Sequence, residues 1–303
     1  MATIDDSAPV CYLCLDADAD DDGQPLRRDC ACRGTDAGFV HLSCLVGFAE
    51  TKSKQASGMN KFREPWLDCP SCHQEYQNEL AVDIATKFVS FVRRQYPDET
   101  QSQVESLHLK MRALGSMLGR LQPRQKRELG VTADVILSLI DRMKGDVSPL
   151  PERYSEIEAN AHNTHGEIAF AEVTDESAKR AVVHLKKAVE VFEAIGDDKG
   201  AAFAKRNIAI VKSKYEGGNN INEELLRASQ EIYELRVAEL GEHHVDTIDA
   251  VRIYAVHLHK ANRGDEAREL LTKLLATSKR VLGPHHNVTK DVESALKSVN
   301  ASA

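Results

Sequence analysis

Seven cysteines and one histidine near the amino end fall into four close couples: Cys11-x2-Cys14, Cys30-x-Cys32, His41-x2-Cys44 and Cys69-x2-Cys72. The couples are separated by 15, 8 and 24 residues and contain every cysteine of the 303-residue chain. Thiolate sulfur and imidazole nitrogen are favoured zinc donors, and a structural zinc takes four of them in a tetrahedron. Two donors one or two residues apart reach one ion from a single tight turn, and a second such turn closes the shell. Eight donors in four couples therefore predict two zinc ions with four protein ligands each and none left over. A closed shell leaves no position for water, so both centres are expected to be structural and no catalytic residue is assigned. Disulfides would require an oxidising compartment; the cysteine number is odd and no signal peptide is expected.

The order and spacing of the couples resemble the RING-CH, or variant RING, family. The runs Cys30-Ala31-Cys32-Arg33-Gly34-Thr35 and Phe39-Val40-His41-Leu42-Ser43-Cys44 are similar to its inner segments, with eight residues rather than seven before the histidine. The resemblance covers residues 8–80. It implies an interleaved, cross-brace arrangement: Cys11, Cys14, His41 and Cys44 on one ion, Cys30, Cys32, Cys69 and Cys72 on the other. Spacing alone leaves open the sequential alternative, with the first two couples on one ion and the last two on the second. A PHD finger shares the ligand order. It has a wider second couple and a shorter gap before the histidine than the one and eight residues found here.

The same resemblance implies a partner. RING-type domains hold a ubiquitin-conjugating enzyme in a shallow apolar groove, and the positions that carry over are Leu13, Phe48 and Pro70. Phe48 stands where the family often has Trp, and His73 follows the last cysteine where many active members have Arg or Lys. A domain of this kind performs no covalent chemistry itself; it holds the ubiquitin thioester in a reactive pose, a gain from positioning. Packing around the ions is the alternative role for Leu13 and Phe48, and above all for Trp66.

The elements that must hold these residues are read as follows. Residues 1–80 carry 14 acidic and 7 basic side chains, so most of the net charge of −8 sits there. An acidic module argues against nucleic-acid binding, which needs a basic footprint. Met1 to Pro9 reads as a loose tail. The acidic run Asp16 to Gly23 fails as a calcium loop, with Asp21 at the position that needs Gly and Arg27 at the position that needs Glu. A short helix is expected to begin at His41 and run through Leu45, Phe48 and Ala49, and Thr51 to Glu64 reads as a mobile excursion. With few apolar residues, this segment should draw its folding free energy from metal, on the order of 10 kcal/mol per site. Chelation should then unfold residues 10–75 and leave the rest folded.

Beyond it, composition favours helix: aromatics are 5% and charged residues 28%. Ala81 to Tyr96 is amphipathic. A second helix passes through Val104, Leu107, Met111 and Leu118, and a third begins near Pro123 or Thr132 and includes Ile136, Leu139 and Ile140. Gly145 to Pro151 reads as a linker. The last half repeats itself. Leu240-Gly241-Glu242-His243-His244 returns 42 residues later as Leu282-Gly283-Pro284-His285-His286. A small–large–apolar echo appears at Ala181, Leu185, Ala188, at Ala228, Ile232, Leu235 and at Ala267, Leu271, Leu274. This resembles the tetratricopeptide repeat, and the 42-residue spacing resembles the longer repeats of kinesin light chains. The likeness is clearest over residues 223–290. It implies helix pairs stacked into a superhelix with a groove for a peptide or partner helix. The His pairs lack partner ligands and are read as a recurring helix end, and Gly217 to Asn220 as an inter-helix loop.

Together these readings give a mainly α chain: a small zinc-stabilised cross-brace domain at 8–80, a helical connector at 81–150 and an all-α tetratricopeptide-like superhelix at 151–303. Two functions follow. The first is a RING-type ubiquitin-protein transferase that binds a conjugating enzyme through the zinc domain and a protein substrate through the repeats. The second is a non-enzymatic zinc-binding adaptor. No run of 18 or more apolar residues exists to span a membrane. Reduced cysteines fit a cytoplasmic or nuclear setting.

Overall fold

The computed structural model describes residues 9–20, 23–29, 32, 38–171, 174–216, 223–284 and 286–301. Among them are twelve α-helices and no multi-residue strand, only the isolated bridges Arg27–Val40 and Asp68–Glu75. The chain divides into two compact units, 1–150 and 151–303. Cys30, Asp21, the Arg33–Thr35 run, residues 1–8, Gly217 to Asn220 and His285 lie outside the described residues.

In the first unit, α1 (Leu42–Lys54) and α2 (Met59–Leu67) fold against α3 (Asn78–Gln95), which α4 (Thr100–Gly115) and α5 (Pro123–Asp146) extend. The excursion expected over Thr51 to Glu64 is instead the end of α1, a turn, and most of α2. Packing decides this. Phe62, Pro65 and Trp66 on α2 are buried, although the sequence around them is polar. Trp66 stacks on Phe88 of α3 at 4.9 Å, and Phe62 meets Phe88 at 5.5 Å and Tyr96 edge-on at 5.3 Å. Leu45 and Ala49 close this core from α1 and Leu80, Ile84 and Phe91 from α3. Burying each large side chain contributes about 1.5–3 kcal/mol. The helices around the cysteine couples thus have an apolar core of their own, supplied largely by α3, which lies beyond the segment assigned to metal-driven folding.

One polar network threads that core. Ser53 Oγ accepts from Trp66 Nε1 at 2.8 Å and donates to the Phe62 carbonyl at 2.7 Å, so a single hydroxyl joins α1 to α2. Between α1 and α2, Gly58 takes φ +93°, where a side chain would be strained.

The second unit is a chain of helices: α6 (Glu152–Ala171), α7 (Asp175–Ala194), α8 (Asp198–Glu216), α9 (Glu223–Leu240), α10 (Val245–Lys260), α11 (Gly264–Val281) and α12 (Asn287–Ala301). Each packs on the next in sequence, and α6 reaches α8 as α10 reaches α12. Short connections and nearest-neighbour packing are the signature of a repeat array. Small residues set the spacing: Ala181, Ala188, Ala228, Ala255 and Ala267 are buried at the contacts. A Cβ on Gly166 would stand 2.4 Å from Leu185 Cγ, so α6 and α7 approach too closely there for any side chain.

The 42-residue echo has a physical cause. Gly241 and Gly283 end α9 and the segment after α11 at φ +79° and +89°, the left-handed position that terminates helices. Three residues later a histidine restarts the chain. His244 Nδ1 accepts from the Asp246 N–H, and His286 Nδ1 from the Val288 N–H, each at 3.2 Å. Three residues on again, the buried Thr247 and Thr289 hydroxyls donate to the carbonyls of Arg236 and Ser278. The histidines serve as helix caps, as a recurring helix end requires.

Candidate metal centre

The first and last cysteine couples sit on two turns with one hydrogen-bond pattern. In the first, Leu15 N–H donates to Cys11 O at 2.8 Å and Cys11 N–H to Asp16 O at 2.8 Å. In the last, His73 N–H donates to Cys69 O at 2.8 Å and Cys69 N–H to Gln74 O at 2.9 Å. The residue after the second cysteine is left-handed in both, Leu15 at φ 65° and His73 at φ 54°. Such a turn points both sulfurs of a couple to one side. The third couple uses a helix start instead: His41 precedes α1, and Cys44 lies in its first turn, where the helix dipole favours a thiolate. Paired hydrogen bonds between Arg27 and Val40, and Tyr12 N–H to Phe39 O, tie these segments together. Gln77 N–H donates to Asp29 O at 2.9 Å and Arg27 pairs with Asp83 at 3.1 Å, anchoring the loop before Cys32 to α3.

Two donor clusters result. Cys11, Cys14, His41 and Cys44 bring one donor atom each within 4.8 Å of one another, as do Cys32, Cys69 and Cys72. The couples interleave, first with third and second with fourth, and the sequential alternative is absent from the described residues. Cys14 Sγ and Cys44 Sγ lie 3.3 and 3.7 Å from His41 Nδ1, and Cys32 Sγ lies 3.7 Å from Cys69 Sγ. A tetrahedron with zinc bonds of about 2.3 Å to sulfur and 2.05 Å to nitrogen has edges of about 3.8 Å (S to S) and 3.5 Å (S to N). The separations are the edges of such a shell, and the two clusters fit two zinc ions.

The surroundings complete the fit. His41 Nε2 lies 2.6 Å from the Asp18 carbonyl, which fixes the proton on Nε2 and leaves Nδ1 free to ligate. Protons are poor substitutes for the cation here. Burial pushes the Cys44 thiol up to about 12, with Cys14 and Cys11 adding to the rise. At Cys11 burial also raises, but backbone hydrogen bonds at Cys14, His41 and Leu13 outweigh it and bring the thiol down to about 7. A divalent ion resolves this split by taking all the sulfurs as thiolates and releasing their protons.

Beside the second cluster lies a groove of about 420 Å³ between α1, α2 and the last cysteine turn. Phe48, Pro65 and Pro70 supply its apolar lining, with Lys52, Lys61 and Asp68 at its edges. Lys52 Nζ sits 5.7 Å from the centre of the Phe48 ring. Asp68 is held above the ordinary carboxylate range by burial, then by Glu75 and Glu64. The structure therefore brings Phe48 and Pro70 to one surface. Leu13 is not among the groove residues; it packs, partly buried, against the core of the module. Trp66 is a core residue. Sequence reasoning missed Lys52, Pro65 and Asp68, because they meet only when α2 folds back on α1.

Comparison with known proteins comes to the same N-terminal segment. The family model described as the RING-variant domain matches residues 11–75, about a fifth of the chain. No curated protein matches the chain. Solved structures similar to it include BtubC (BKLC) from P. vanneervenii, with a TM-score of 0.49 and 13% identity over 74% of this chain and 83% of that one. A second is a kinesin light chain from P. anserina with nearly identical TPR-like repeats, with a TM-score of 0.43 and 14% identity over 79% of this chain and 95% of that one. The chain carries a RING-variant domain followed by an all-helical region, and among the described residues no helix is long and apolar enough to cross a membrane.

Proposed function

We propose that the chain is a RING-type ubiquitin ligase. The zinc domain (8–80) would bind a charged conjugating enzyme at Phe48 and Pro70, with Leu13 beside them, and the repeats (151–303) would hold the substrate, with 81–150 as connector. One observation carries this reading: an apolar groove formed by Phe48, Pro65 and Pro70 borders a RING-variant metal cluster, on a chain that also bears a helical repeat array. The eight donors Cys11, Cys14, Cys30, Cys32, His41, Cys44, Cys69 and Cys72 would hold two zinc ions, which supply rigidity. The chain's own contribution to rate is orientation of the thioester. A reducing, cytoplasmic setting suits its thiolates.

The test is autoubiquitination with a panel of conjugating enzymes. Phe48→Ala should lose product while keeping two zinc ions per chain, since Phe48 lines the groove and is not itself a metal donor. Wild-type protein inert with the whole panel would refute the ligase reading. The adaptor reading is favoured by His73, which takes the left-handed position directly after Cys72 where an Arg or Lys would reach ubiquitin. His73→Arg raising product formation would show that this position limits activity.

A further inference from the structure

The repeat unit contains a group of imidazoles with no part in the function proposed above. His162 and His165 lie three residues apart on α6 and share a face; His184 meets them from α7. His162 Nδ1 and His184 Nδ1 are 3.2 Å apart and share a hydrogen bond, one ring donating to the other, with ring centroids at 5.4 Å. Two imidazole nitrogens bound to one tetrahedral ion at about 2.05 Å stand about 3.3 Å apart. Their ring centroids, each about 1.2 Å further out along its bond, stand about 5.3 Å apart. Both observed separations follow that pattern. His165 packs on His184 from the other side, centroid to centroid 4.7 Å and planes 31° apart, which braces the His184 ring. All three side chains are half-buried. The close approach at Gly166 and Leu185 holds α6 and α7 at the separation that makes the pair.

We propose that His162 and His184 bind a tetrahedral divalent metal, such as zinc or cobalt, through Nδ1, the ion taking the place of the proton the two rings share and linking α6 to α7. His165 positions the His184 ring, and water completes the shell. Among the described residues three or more donors converge only in the two cysteine clusters, so this is a two-donor site and a weaker one. Imidazole selects zinc, copper and nickel; magnesium prefers oxygen. The site is independent of the ligase reading and stands or falls separately from it.

The test uses the untagged, zinc-loaded full chain, dialysed against micromolar cobalt, with both metals counted. Two zinc ions and one cobalt per chain are expected. His162→Gln and His184→Gln should each keep the zinc and lose the cobalt. His165→Phe, which preserves a ring against His184, should keep both metals. Cobalt should raise the wild-type unfolding midpoint and magnesium should not, a readout that holds even if a variant folds poorly. Wild-type protein without bound cobalt, or both glutamine variants binding it undiminished, would overturn the site. Loss of cobalt in a folded His165→Phe variant would overturn the two-donor assignment.

Discussion

Single side chains carry unequal weight in this molecule, and Ser53 carries more than its size suggests. Its hydroxyl is the partner of the one indole N–H and of a buried carbonyl. Ser53→Ala leaves the Trp66 donor unsatisfied within the aromatic core, at about 1–3 kcal/mol; a denaturant midpoint lowered accordingly is the expected result. His257 makes a pH-dependent contribution. Burial first, then the Arg206 and Lys260 charges, lower it to about 4. Ser229 Oγ lies 2.6 Å from its Nδ1 and also 2.8 Å from the Leu225 carbonyl. With the hydroxyl proton given to Leu225, the neutral ring donates from Nδ1. The folded chain thus binds fewer protons than the unfolded chain between the unfolded value near 6.5 and the folded value near 4. Stability is fully present above that window and falls as pH drops through it. After solvent screening the loss is on the order of 2 kcal/mol. Unfolding midpoints measured across the window should show a slope in wild type that His257→Gln lacks.

Secondary elements were legible where apolar residues keep one period and obscure where tertiary contacts decide. α3, α5 and α11 follow from spacing. α2 does not, because Phe62 and Trp66 find their partners on α3, outside their own stretch. The cysteine couples were readable as metal turns, and their interleaving followed from the family resemblance rather than from spacing. The groove at Phe48 and Pro70 was legible only in part, since Lys52, Pro65 and Asp68 reach it through the fold of α2 on α1. At this scale two substitutions discriminate. His286→Ala removes the cap of α12 and should lower stability by about 1 kcal/mol, visible as a drop in the thermal midpoint. Gly166→Ala forces a methyl against Leu185 and should cost about 1–3 kcal/mol, measured in denaturant.

At the scale of the whole chain, metal and hydrophobic core share the work of folding the first unit. The described residues before α1 and from Asp68 to Gln77 reach that core through a few side chains, Val40 and Tyr76 among them, and with Cys44 carry seven of the metal donors. The helices α1, α2 and α3 share the Trp66–Phe88 core. Strong chelation should therefore expose backbone amides in those two segments to exchange while α3 to α12 stay protected. Loss of protection throughout 42–95 would show that metal supports the helices as well. The reading of residues 10–75 as too poor in apolar side chains to fold without metal did not count α3, which lies past that boundary and packs on Trp66 and Phe62 through Phe88.

The Gly–x–x–His–x–x–Thr punctuation makes the array divisible. If residues 245–286 are cut out, His244 is followed directly by Asn287, Val288 and Thr289, and the junction reads as it did before. The Thr289 hydroxyl then falls where Thr247 stood, opposite the Arg236 carbonyl, and the capping bonds of the seam are restored, while the Ser229–His257 contact leaves with the block. Such a shortened protein should still melt as a cooperative helical array, and lengthening by a duplicated block should work for the same reason.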